Sequence, residues 1–115
     1  MKCTLENTRI FVRTGSTDLR KASSGLSAIV VEEMDQDIYA DSVFLFCNKS
    51  KKLIKCLKWD KTGFWLAQKR LEKARWPWPM TEEAVREISE EQLKLFLHGI
   101  DFWKAHTELQ YKSIT

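Results

Sequence analysis

The sequence has little of what would announce a disulfide framework, a metal centre or a membrane span. Its three cysteines, Cys3, Cys47 and Cys56, form an odd set with no Cys-x-x-Cys pair, and the only histidines, His98 and His106, stand well away from them. That pattern argues against paired disulfides and a structural zinc site, and fits a reducing compartment. Apolar runs such as Val43–Cys47 fall far short of the roughly 20 residues that cross a bilayer. Glu6 stands where a secretory leader would begin its apolar stretch, so the chain is expected to be cytoplasmic and unanchored. Only two prolines and four glycines occur in 115 residues, and no low-complexity segment divides them. One domain over 1–115 is therefore expected, with its core at about 9–103.

Tryptophan is plentiful, with five in this short chain, and charge is segregated. The net charge is only +3, but residues 49–75 hold ten Lys/Arg against two acids, while residues 30–42 hold five acids and no base. Residues 80–101 add six acids against two bases. A basic middle can thus meet an acidic partner, although the same charges could simply alternate around a solvated sheet.

Arg9–Arg13 is a short β-prone run, closed by the turn cluster Thr-Gly-Ser-Thr, which offers Ser16 or Thr17 as a helix cap. From Asp18, the residues Leu19, Ala22, Leu26, Ile29 and Val30 recur at three- and four-residue spacing and predict a helix ending near Met34. Val43–Cys47 is too continuously apolar for a half-exposed strand and reads as a central one. After the turn Asn48–Lys51, the run Lys52–Trp59 sets Leu53, Lys55, Leu57 and Trp59 on one strand face and Ile54, Cys56 and Lys58 on the other. Asp60-Lys-Thr-Gly63 is a hairpin connection with glycine as the residue suited to positive φ, and the returning strand runs from Phe64 to Glu72.

Ala74–Pro79 is expected to be extended and to lie at a sheet edge, because Pro77 and Pro79 lack backbone donors. Ala84–Ile88 reads as another strand. Ser89-Glu-Glu-Gln92 is a capping-box sequence opening a second helix with the stripe Leu93, Phe96, Leu97, Ile100 and Trp103. Residues from about 106 onward lack a period and are expected to fray. The fold class is α+β, an antiparallel sheet of about five strands with two helices on one face.

Several motifs fall in order along this chain: Thr17-Asp-Leu-Arg-Lys21 with Gly25-Leu26, Val43-Phe-Leu-Phe46, Ile54-Lys55, Trp59-Asp60, Gly63-Phe64, Lys69-Arg-Leu-Glu72, Trp78-Pro79 and Ile100-Asp101. Together they resemble the accessory proteins, called TnpB, encoded by the second open reading frame of insertion sequence sixty-six elements. The chain departs from that pattern at Leu19, where Met is usual, at Ala22, where Gly is usual, and at Lys58, where an aromatic is common. The resemblance implies a bacterial protein that supports transposition without being the transposase, through contact with DNA or with that larger protein. It marks Asp18, Trp59, Asp60, Gly63, Phe64, Trp78 and Pro79 as motif positions.

Read directly, the residues favour a DNA-binding face made of Arg20, Lys21, Lys49, Lys51, Lys52, Lys55, Lys69, Arg70, Lys73 and Arg75. Lysine and arginine neutralise phosphates and release counterions, and exposed rings among Trp59, Phe64, Trp65 and Trp76 could stack on unpaired bases. Arg20 and Lys21, in the first turn of the predicted helix, ask for a compensating acid such as Asp18 or a bound phosphate. The competing reading is a protein-interaction module in which the acidic patches and Trp76-Pro-Trp-Pro79 dock on the transposase or a second copy. Catalysis is not expected. Asp18, Asp60 and Glu72 are the carboxylates a nuclease would use, but each has an ordinary structural role, and no nucleophile, phosphate-binding glycine loop, metal site or cofactor motif accompanies them.

Overall fold

The computed structural model describes residues 8–81 and 83–98. Its elements are β1 (Arg9–Arg13), α1 (Ser23–Glu32), β2 (Ser42–Cys47), β3 (Leu53–Asp60), β4 (Gly63–Arg70), β5 (Val85–Ile88) and α2 (Glu90–Leu97). The α+β class is as expected, with five strands in one sheet ordered β4-β3-β2-β1-β5. β2 is the central strand, buried along its whole length.

The sheet is mixed rather than antiparallel: β1 and β2 pair in parallel, Ile10 opposite Val43 and Phe11 opposite Phe44. Parallel neighbours need a long crossover, and the segment carrying α1 supplies it. All other pairings are antiparallel.

The helices lie on opposite faces, not on one. Leu26, Ile29 and Val30 of α1 pack with Phe11, Phe44, Phe46 and Leu57, whereas Leu93 and Phe96 of α2 pack with Ile10, Val12, Val43, Leu45, Cys47 and Ile54. Side chains alternate between faces along a strand. The uninterrupted apolar runs of β1 and β2 therefore project bulky groups to both sides, and each side needs a cover. Burial of a Phe or Leu side chain contributes about 1.5–3 kcal/mol, so leaving one face open would be costly.

Helix α1 begins later than its apolar spacing predicted, with Ala22 at the N-cap and no side-chain cap. Thr17 is instead tied to the sheet, its N–H donating to the Cys47 carbonyl at 2.7 Å. Arg20 and Lys21 consequently sit in a turn ahead of the helix. Gly25 makes that turn fit: a Cβ there would lie 3.0 Å from Lys21 Cβ.

The segment 71–81 is not a sheet edge. Leaving β4, the chain bonds to the β2–β3 turn (Leu71 N–H to Lys52 carbonyl, 2.7 Å; Trp76 N–H to Lys51 carbonyl, 2.6 Å) and reaches Gly15, whose N–H donates to Pro79 at 2.9 Å. It thus crosses from one edge of the sheet toward the other, past the ends of β2 and β1. Trp76 and Trp78 are buried beneath α2, with both ring centroids 5.3 Å from that of Phe96. The Trp78 Nε1–H donates to the Arg13 carbonyl at 2.8 Å. The capping box of α2 forms as its sequence predicted: Ser89 Oγ accepts from the Gln92 N–H, and Gln92 Oε1 accepts from the Ser89 N–H. Ile100, Trp103 and the tail from 106 lie outside the described residues.

Candidate nucleic-acid interface

An open groove of about 570 Å³ lies where the loop after β1, the turn after β2 and the end of β4 converge. It is lined by Ser16–Arg20, Asn48–Ser50, Leu53 and Arg70. The carboxyl ends of β1 and β2 both feed it, since the two strands are parallel. Crevices at the carboxyl ends of parallel strands are common ligand sites in open sheets.

Each wall is built by local hydrogen bonding. Asn48 organises the β2–β3 turn, its Oδ1 accepting from the Lys52 and Leu53 N–H groups, each at 3.1 Å. Lys51 adopts a positive φ of 62° there. Asp18 organises the opposite wall. Its Oδ1 accepts from the Arg20 N–H at 3.1 Å, and its two oxygens take the Arg20 guanidinium at 2.7–3.2 Å. The Arg20 hydrogen bonds hold the Asp18 carboxyl well below the usual carboxylate range, and Lys21 adds to this through its charge. Asp18 is thus the compensating acid for Arg20, serving a turn rather than a helix terminus. The Arg20 side chain nevertheless stays 91% exposed.

The candidate bases do not all share this groove. Arg20, Lys49 and Arg70 line it. Lys55 is engaged from below, its ammonium donating to the Leu19 carbonyl at 2.6 Å and to that of Lys21 at 3.5 Å, so it pins the loop. Lys21, on the same loop, lies against Gly25 of α1. Lys51 and Lys52 are half-buried in the β2–β3 turn, and their carbonyls hold the chain beyond β4. Lys73 and Arg75 are exposed on that connection, close in sequence to Arg70. Lys69 projects to the opposite face of β4 from Arg70, its ammonium 5.8 Å from the Trp76 ring centroid.

The motif residues Trp59, Asp60, Gly63 and Phe64 build the hairpin at the other end of β3. Asp60 pairs with Gly63 across a two-residue loop, and Lys61, not glycine, carries the positive φ, 42°. Trp59 packs edge-on to Phe64 and Tyr39 at 5.0 and 4.9 Å, and Asp60 accepts the Trp65 indole N–H at 2.9 Å. Asp18 and Asp60 thus stand at opposite ends of β3. Among the described residues, no three His, Cys, Asp or Glu side chains gather as a metal site, and no helix is long and apolar enough to cross a membrane. Burial pushes the Cys47 thiol up to about 12, which leaves it inert as a nucleophile.

Sequence reasoning missed Asn48 as the organiser of one wall, and Ser16 and Ser50 as residues lining the groove. The signal available was Asn at the start of a turn, a position where its side chain caps the following N–H groups.

The architecture is a small mixed sheet clad by a helix on each face, with a cationic groove at the ends of its parallel strands. The model of the family described as IS66 Orf2 like protein matches residues 8–107. Two uncharacterized proteins of Sinorhizobium fredii are similar. Protein y4hO is 34% identical over 84% of this chain and 84% of its own length, and y4jC is 31% identical over 82% and 80%. No solved structure matches. The chain belongs to the IS66 Orf2-like family and is a transposition-associated accessory protein.

Proposed function

We propose that this protein assists transposition by binding DNA without catalysing its cleavage, as a cytoplasmic protein of a bacterial host, and that the groove between Asp18, Asn48 and Arg70 is where the DNA backbone lies. The observation that carries this reading is the convergence of Arg20, Lys49 and Arg70, from three separate parts of the chain, on one open groove with a single carboxylate. Guanidinium and ammonium groups bind phosphate oxygens, and the hydroxyls of Ser16 and Ser50 add neutral donors. Lys73 and Arg75 would extend the contact past Arg70. Backbone contacts of this kind carry little sequence information, so end preference would come from DNA shape or from the transposase.

Fluorescence anisotropy of the purified chain with labelled transposon-end and scrambled DNA, duplex and single-stranded, across a salt series tests this. Affinity is expected to fall by about one log unit per log unit of salt for each phosphate neutralised. An Arg20→Glu/Lys49→Glu/Arg70→Glu variant with an unchanged circular dichroism spectrum should lose most of it. Undiminished binding by that variant would sink the groove. No binding by the wild type at low salt would transfer the role to contact with the transposase.

A further inference from the structure

Strand β4 is an edge. Among the described residues only β3 pairs with it, and its eight residues make it, with β3, the longest strand of the sheet. Its centre, Phe64–Gln68, has no charged residue, and Trp65 and Leu66 are 51% and 38% exposed. Open edges of this length are normally blunted by charge, proline or a bulge because their free N–H and C=O groups template another strand. Here the charges are confined to one end, at Lys69 and Arg70.

The direction of the free groups follows from the register. Asp60 and Gly63 flank a two-residue loop, and the Leu71 N–H donates to the Lys52 carbonyl. Residues 63, 65, 67, 69 and 71 therefore turn their backbone groups toward β3, and Phe64, Leu66, Gln68 and Arg70 turn theirs outward. Side chains of the odd residues lie on the α2 face, where Lys69 meets Trp76, and those of the even residues on the α1 face.

We propose that β4 pairs antiparallel with β4 of a second copy of this chain about a two-fold axis at Ala67, joining two five-stranded sheets into one of ten strands. The edge is self-complementary in this register. All four outward residues bond, Leu66 with the partner's Gln68 and Phe64 with the partner's Arg70. At the axis two alanines meet in a non-hydrogen-bonded pair, where side chains approach most closely and small ones fit. Trp65 falls opposite the partner's Lys69, and Phe64 opposite the partner's Arg70, so the aromatic half of each strand receives the cationic half of the other. The exposed Leu66 is covered by a Gln side chain. This inference stands on the sheet edge and does not depend on the DNA reading.

Light scattering of the full chain without DNA, from micromolar to submillimolar concentration, should show the mass rising from 13.5 kDa toward about twice that value. Gln68→Pro removes an outward N–H while leaving the bonds to β3 intact, and should be monomeric throughout with an unchanged circular dichroism spectrum. A wild type that stays monomeric, or a folded Gln68→Pro chain that still dimerises, overturns the proposal. If that variant fails to fold, oxidation decides. In a Cys3→Ser/Cys56→Ser background, which removes the thiol facing position 67 across β3, Ala67→Cys should cross-link and Leu66→Cys should not. Cross-linking of both or of neither overturns the register. Loss of DNA binding in an Arg20→Glu/Lys49→Glu variant, which leaves β4 untouched, with the dimer intact would separate the two readings.

Discussion

At the residue scale, Asp18 sets the shape of the groove and subtracts from its charge. Its carboxylate holds Arg20 in place and neutralises part of the guanidinium field. Asp18→Asn keeps an oxygen acceptor for the Arg20 N–H and removes one negative charge. DNA affinity at low salt should rise a few-fold, with a steeper salt dependence, as measured by anisotropy. Lys61 offers a separate test. Its φ of 42° lies in a region that glycine adopts without a Cβ clash. Lys61→Gly should raise stability by up to about 1 kcal/mol in urea denaturation, since the left-handed conformation costs a side-chain residue about 1–2 kcal/mol and glycine's extra unfolded-state entropy offsets part of the gain.

At the scale of elements, the Trp-Pro-Trp-Pro segment is part of the core. Trp76 and Trp78 are both buried against Phe96, yet their polar atoms fare differently. Trp78 donates to the Arg13 carbonyl, whereas Trp76 Nε1 meets no acceptor among the described residues. Trp78→Phe should therefore cost about 1 kcal/mol more than Trp76→Phe, a difference readable from paired denaturation midpoints. Alanine at either position should cost about 3–5 kcal/mol, so a double alanine variant reports on folding before it reports on any partner. The segment's extended, proline-held character was legible in the sequence. Its inward orientation was not, because alternating Trp and Pro carry no periodicity that distinguishes a core strap from an exposed edge.

At the scale of the whole molecule, charge pairing makes stability depend on acid. Hydrogen bonds from Arg20, Lys58 and Arg9 lower the carboxyls of Asp18, Asp41 and Glu87 respectively below their ordinary values. A group whose pKa is depressed by folding stabilises the native state above its unfolded pKa and loses that contribution as pH falls through the folded value. The melting temperature should hold from neutrality to about pH 4, the ordinary carboxylate range, and decline below it. All three carboxylates are exposed, so the decline should be gradual and should shrink in high salt.

Much of the fold was determined by sequence alone. The apolar runs Arg9–Arg13 and Val43–Cys47, the alternation along Lys52–Trp59 and the Ser89–Gln92 capping box each specify a local conformation through nearby residues. The family, too, was legible in the ordered motifs. Tertiary structure decided which strands are parallel and that α1 and α2 cover opposite faces. These depend on pairings between residues far apart in the chain, where the same run of β-prone residues is compatible with either direction of a neighbour. The groove is of that kind: Arg20, Lys49 and Arg70 meet because Thr17 is bonded to the end of β2 and Lys55 holds the loop carbonyls from beneath. Spacing along the sequence holds no record of either contact.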